Sequence, residues 1–282
     1  MVKIKLEKGI YEGEVKDGVP HGKGKSTLSD GSIYEGNFKD GFPHGKGTRT
    51  SSKGEKYEGE HKDGLPHGQG TLTKNEGFKY VGEFKKYKYD GQGSAIFPNG
   101  EKYEGEWKNN YPHGQGTFIY PNGVKYVGEF IEGEKNGKGS FIDSMGVKYE
   151  GDFKNDIANG QGIKIFPDGT KYEGSIKDDK FDGEGTCFFS NGDKYVGEHK
   201  ENFPHGQGAY IESDGVKYVG EFKKGKRDGQ GSVNFPNGEK HEGEWKNNLP
   251  HGYGKSTHKD GSIEEGMWHE GEFVEVDESK KN

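Results

Sequence analysis

Aromatic, apolar and charged positions recur along this chain at one fixed interval. From Tyr11 to Tyr218 a tyrosine stands every 23 residues, and His241 and Glu264 keep the count with the aromatic ring lost. Around each marker the pattern alternates with a period of two. In Lys102-Tyr103-Glu104-Gly105-Glu106-Trp107-Lys108, the odd positions are aromatic or glycine and the even ones charged. That alternation predicts a half-buried strand. Two residues after every marker stands a glycine, from Gly13 to Gly266. A G-x-G pair follows, as Gly114 and Gly116, and a further glycine closes each unit, as at Gly100 and Gly123. Such spacing, uninterrupted by insertions, predicts a repeat array.

Asn-Gly between two β-prone runs signals a tight hairpin, because a type I′ turn needs positive φ at both central residues. With Asn99-Gly100 as that turn, Ile96 faces Tyr103, Ala95 faces Glu104 and Gln92 faces Trp107. Ile96, Tyr103, Gly105 and Trp107 then share one face, and Phe97, Lys102, Glu104 and Glu106 share the other. A Lys8-Gly9 turn likewise sets Leu6 against Tyr11 and Lys3 against Glu14. The run KNNYPHGQG reads as a long loop that reverses the chain. The glycine after each tyrosine leaves a slot that a neighbouring ring covers, so Gly105, Gly114, Gly116 and Gly123 are assigned to structure. The expected fold is all-β: an elongated single-layer antiparallel β-meander of tandem 23-residue β-hairpins, with about 24 strands and no helix beyond a short turn near the C-terminus. Residues 1–10 form a half-repeat that caps the first edge, 11–263 form eleven complete repeats, and 264–282 form a partial twelfth repeat and an acidic tail.

One unit, Tyr103 to Lys125, reads YEGEWKNNYPHGQGTFIYPNGVK. Its pattern, Y-x-G-x-[WF], then H-G-x-G, then [ND]-G, resembles the MORN repeat (membrane occupation and recognition nexus), and the resemblance covers essentially the whole chain. Departures are local. Val15, His61, Ile176 and His199 replace the Trp or Phe, and Asp90, Asn136, Asn159, Asp182 and Asp228 replace the His of the His-Gly pair. The resemblance implies a MORN-only protein. Such proteins are protein-interaction scaffolds of cytoskeletal, ciliary or membrane-junction assemblies. They hold a helix or peptide in an aromatic groove and form homodimers through terminal repeats. The family name also implies an alternative, a phospholipid-binding membrane tether.

Composition sharpens the picture in two ways. Hydrophobic residues make up 26% of the chain, too few for a thick globular core. Yet 16 Tyr, 17 Phe and 52 Gly are held in register, unlike a flexible low-complexity chain. The net charge of −7 arises from interspersed acids and bases with no basic stripe, which excludes nucleic acid as a generic partner. Lys3, Lys5 and Lys8 are the best local candidates for a lipid surface. The single cysteine, Cys187, excludes an internal disulfide. With no apolar leader and no run long enough to cross a bilayer, the chain is expected to be cytoplasmic, cytoskeleton- or cilium-associated, not secreted, and without a transmembrane segment.

Catalysis is not expected. Carboxylate pairs such as Glu104 and Glu106 recur unit after unit, a ladder rather than one converging site. His44 and His67 would lie two strands apart, roughly 9–10 Å, too far to share a metal whose bonds are about 2.0–2.1 Å. PHGQG lacks the helix that a phosphate-cradling loop needs, and Cys187 has no fixed base. No cofactor or metal is expected. The aromatic face remains, and its central rings, Tyr103, Trp107, Tyr126, Phe130, Tyr149 and Phe153, are the candidate partner-binding residues.

Overall fold

The computed structural model describes residues 2–274, so the acidic tail at 275–282 lies outside the described residues. Among the described residues there are twenty-five strands, no α-helix, and a single 3₁₀ turn, Asn75–Gly77. That turn lies in the hairpin loop before strand Lys79–Lys85. The chain divides into two units after Ser144. The first runs from strand Val2–Leu6 to strand Glu134–Ile142, and the second from Lys148–Lys154 to Glu272–Val274. Within each, strands pair antiparallel with their sequence neighbours, as an all-β meander of hairpins.

The two turn types of each repeat are the reverse of the sequence expectation. The type I′ turn is Asn109-Asn110, with φ of 51° and 76°. It joins Lys102–Lys108 directly to Tyr111–Ile119, so PHGQG belongs to a strand and not to a long loop. At Asn99-Gly100 only the glycine has positive φ, 85°. There Phe97 N–H donates to the Glu101 carbonyl and Gly100 N–H to the Phe97 carbonyl. This is a three-residue loop, a type I turn closed by a left-handed glycine. Pro98 suits it, because a proline φ near −65° fits the first central position of a type I turn, and serine takes the same place in the identically bonded loops Ser29-Asp30-Gly31 and Ser190-Asn191-Gly192.

The extra loop residue shifts the register by one. Tyr103 faces Ala95, and Ile96 faces Lys102. A one-residue slip exchanges faces: Ala95 is buried, whereas Ile96 is 43% exposed on the charged face. At the N-terminus the turn is Glu7-Lys8, so Ile4 faces Tyr11 and Lys3 faces Glu12 at 2.6 Å. That slip is even, and the apolar and charged faces stay as expected.

Each hairpin carries a bulge after its first glycine. Gly105 faces Gly116 but Trp107 faces Pro112, so Glu106 alone stands opposite His113, Gly114 and Gln115, and the extra residues lie on strand Tyr111–Ile119. Both backbone groups disturbed by the bulge find side-chain partners. The Tyr103 hydroxyl donates to the Glu106 carbonyl at 2.8 Å, and the Gln115 N–H donates to the Glu106 carboxylate at 3.0 Å. To reach that carbonyl, the tyrosine ring lies flat across Gly105 and Gly116. A Cβ on Gly116 would stand 2.3 Å from its hydroxyl, and one on Gly105 would stand 2.5 Å from the Gly116 Cα. The glycine slot is thus filled by the tyrosine of its own repeat. Gly114, at φ 60°, faces the Glu106 carboxylate, and Gly123, at φ 86°, closes the three-residue turn.

Successive hairpins are joined by a second device. The N–H of the second turn residue donates backward to the preceding repeat: Gly41 to the Pro20 carbonyl, Gly64 to Pro43, Gly133 to Pro112. Where the receiving position is proline it has no N–H, and the turn residue opposite is glycine in five of the six cases, Pro66 with Tyr87 being the exception. Where the receiving position keeps its N–H, the turn residue is Asn or Asp and its side chain accepts that proton. Tyr89 donates to Asn110, Ala158 to Asp179, Phe181 to Asn202 and Arg227 to Asn248, at 2.9–3.0 Å.

Candidate functional site

The interior of each unit is mainly a file of rings. Within a repeat the tyrosine meets the ring four residues later edge to face: Tyr103 and Trp107 at 5.0 Å, Tyr126 and Phe130 at 5.0 Å, Tyr149 and Phe153 at 5.1 Å. Tyrosines also meet the corresponding ring of the next repeat, as Tyr80 meets Trp107 at 5.3 Å and Tyr103 meets Phe130 at 5.2 Å. Such contacts contribute about 0.5–1.5 kcal/mol each beyond their burial.

All six candidate rings belong to this file, at 0–7% exposure. The expectation that they form a partner surface is corrected here: their faces are covered by one another, and little ring area is left to touch anything else. Their polar atoms are also engaged. Trp107 Nε1–H donates to the Gly93 carbonyl at 3.0 Å, and burial raises the Tyr103 phenol far above its usual range.

The accessible aromatic surface lies beside the ladder, toward the three-residue turns. Phe97, Phe118 and Tyr120 are half-buried. Phe97 stacks on Phe118 at 6.1 Å, and Phe118 meets Tyr120 at 4.7 Å. In the second unit Phe189 meets Tyr210 at 5.9 Å, and both flank the buried cluster around Tyr195 and Tyr218. The Tyr210 hydroxyl donates to Asp193 at 2.6 Å; burial first, and then this bond, raises the phenol's pKa, and the bond holds the Asp193 carboxyl low. A sequence signal for this strip exists: Phe97, Tyr120, Phe166, Phe189 and Phe235 each stand six residues before a repeat marker.

The groups that could carry chemistry are occupied otherwise. His61 and His199 replace a ladder ring, and each lies between two tyrosines at 4.8–5.1 Å. Burial holds the His61 imidazole down to about 4, and lowers His199 as well. His61 Nδ1–H donates to the Gly59 carbonyl at 3.2 Å. Burial pushes the Cys187 thiol up to about 11. No group of three metal-ligating side chains occurs among the described residues, and no helix among them is long and apolar enough to cross a membrane.

Comparison with known proteins agrees with the repeat count. The MORN repeat model matches eleven consecutive segments, from 11–33 through 103–125 to 241–263. Among solved structures, the SAS-4 TCP domain of Drosophila melanogaster, in complex with a proline-rich motif of Ana2, is similar at 16% identity and a TM-score of 0.37, over 63% of this chain and 90% of that one. The TCP10 domain of Danio rerio CPAP, in complex with a STIL peptide, is similar at 13% identity and a TM-score of 0.26, over 89% of this chain and 97% of that one. Both likenesses are remote. No curated protein matches significantly. Eleven matched segments, each folded as the same bulged hairpin with the ring of Tyr, or of His241 in the last, over paired glycines, establish that this chain belongs to the MORN repeat family.

Proposed function

We propose that this protein is a non-catalytic protein-interaction scaffold that holds a helix or peptide on the accessible aromatic strip of its ladder face. One observation carries the reading. Half-buried rings, Phe97, Phe118 and Tyr120 in the first unit and Phe189 and Tyr210 in the second, flank a rigid file of buried ones. Aromatic side chains on a fixed backbone offer contact area at low entropic cost. The absence of catalysis is part of the same reading: it draws support from Glu106 being engaged at the bulge and from the burial of His61, His199 and Cys187. So are a cytoskeletal, ciliary or membrane-junction setting and homodimerisation through terminal repeats, which follow from the family. The alternative, a phospholipid-binding tether, draws on the lysines of the opposite face, such as Lys56 and Lys171, and is opposed by the carboxylates that pair with them, Glu58 and Glu173.

The test is retention of a protein from cell extract by the immobilised full chain, with Phe97→Ser/Tyr120→Ser as the variant. Ser51 occupies the equivalent place in another repeat, so the fold tolerates the change. Loss of the retained protein supports the scaffold reading. Unchanged retention refutes the strip as its site, and salt-sensitive sedimentation with acidic vesicles in place of protein retention favours the tether.

A further inference from the structure

The face opposite the ladder carries three outward rows. On strand Lys194–Lys200 these are Lys194, Val196 and Glu198, and on strand Lys217–Lys223 they are Lys217, Val219 and Glu221. In most repeats the middle position is glutamate, and in three it pairs with the lysine two residues earlier. Lys56 pairs with Glu58 at 2.8 Å, Lys171 with Glu173 at 2.9 Å, and Lys240 with Glu242. Four repeats carry valine there, and only those starting at Tyr195 and Tyr218 are consecutive.

Two adjacent valines change the surface. Val196 faces Ala209, and Ala209 faces Val219, which makes one unbroken apolar row across three strands. Ile211 lies between Lys194 and Lys217, and Phe188 lies beside Lys194. Val196, Val219 and Phe188 are 38%, 42% and 39% exposed. The lysines have lost the carboxylate that their counterparts pair with, and Lys194 Nζ instead sits 5.1 Å over the Phe188 ring. On the other flank, the Glu198 and Glu221 carboxylates accept the Gln207 and Gln230 N–H groups at 3.0 Å. The patch therefore has an apolar centre, a cationic flank and an anionic flank.

We propose that this patch docks an amphipathic helix of another protein whose apolar stripe is bordered by Asp or Glu on the side that meets Lys194 and Lys217. Equivalent positions of successive repeats lie two strands, about 9.6 Å, apart, and residues seven apart on a helix rise by about 10.5 Å. A helix lying across the strands thus presents one apolar residue and one carboxylate to each repeat. Charge complementarity favours this occupant over a bilayer, whose uniform negative surface would also meet Glu198 and Glu221. The site is on the opposite face from the aromatic strip and does not depend on it.

The test uses the full chain and a displayed library of helical peptides, about two heptads long, with apolar positions fixed at heptad spacing and flanking positions randomised. Wild-type protein should enrich peptides with Asp or Glu on one flank. Val196→Glu/Val219→Glu restores the glutamate found in other repeats, so folding is kept, which the far-ultraviolet spectrum checks. It should weaken the selected peptides by at least roughly tenfold, as should Lys194→Gln/Lys217→Gln. Phe97→Ser/Tyr120→Ser should leave them unchanged. The proposal is overturned by failure to enrich, by enrichment of peptides with no acidic flank, by equal binding to the valine variant, or by binding only to phosphatidylserine-containing vesicles.

Discussion

Replacing Ala158 by proline and Asp179 by glycine should be nearly harmless together although each change alone breaks a contact. In the native junction Ala158 N–H donates to the Asp179 carboxylate at 3.0 Å, and Asp179 N–H donates to the Ala158 carbonyl at 3.0 Å. The second bond has an exact counterpart where the pair is Pro20 and Gly41, at 2.9 Å, because proline keeps its carbonyl. Only the first bond depends on the residue pair. Its net worth is about 1–1.5 kcal/mol, the lower part of the range for a charged acceptor, since the carboxylate is solvent-exposed. Ala158→Pro removes the donor and leaves the carboxylate to water. Asp179→Gly strands the N–H of a buried residue, but relieves a backbone held at φ 64°. The double variant recreates the proline-glycine junction, so the coupling between the two changes should be about 1 kcal/mol in favour of the pair. Repeat arrays do not unfold in one step. The suitable assay is therefore native-state hydrogen exchange of strands Ile157–Ile165 and Lys171–Lys177, read as local opening free energies in the four members of the cycle. Additive effects, with a coupling below about 0.3 kcal/mol, would refute the reasoning.

Other expectations follow from the ladder and its glycines. The buried His61 is neutral in the native state, with its pKa lowered from 6.5 to about 4, so its stabilisation is whole above pH 6.5 and is lost as pH falls toward 4. The loss amounts to about 2 kcal/mol at pH 5, and His61→Phe should flatten the profile of hydrogen exchange around strand Lys56–Lys62 over that window; an unchanged profile would show that another group titrates. Tyr103→Phe should cost about 1 kcal/mol by leaving the Glu106 carbonyl without its hydroxyl partner, measured by exchange on the same hairpin; a cost near zero would mean that water replaces the bond. Gly116→Ala should be worse, about 3 kcal/mol or more, because its Cβ would overlap the tyrosine ring, and thermal melting in the tyrosine ultraviolet band reads it. Gly123→Ala at φ 86° should cost about 1–2 kcal/mol, with Gly123→Asn milder, which an exchange comparison of the two variants checks.

The 23-residue period was enough to reach the hairpins, the sharing of a face by Tyr103, Gly105 and Trp107, and the structural role of the glycines, because each follows from spacing alone. What spacing does not contain is the extent to which one ring covers another. Tyr103 and Trp107 look like a surface when one repeat is written out. They become an interior only when the next repeat brings Phe130 against Tyr103 at 5.2 Å and the preceding one brings Tyr80 against Trp107 at 5.3 Å. The turn error has a narrower cause. Asn99-Gly100 carries a strong hairpin signal, but the glycine closes a three-residue loop there, as Gly31 and Gly192 do after Ser-Asp and Ser-Asn, and one residue of loop length decides whether Ile96 or Ala95 joins the core. Other information was present in the chain without being legible. The pairing of proline with a turn glycine, and of an N–H with a turn Asn or Asp, can be tabulated from the sequence, yet nothing in a linear text says that Ala158 and Asp179, 21 residues apart, touch. Once the contact is known, the pattern reads as a pairing rule that sets how each hairpin seats on the one before it. The same logic locates both candidate surfaces: where a position is free of such a rule, its residue varies between repeats, and the runs in which variation leaves rings or valines side by side are where a partner can be recognised.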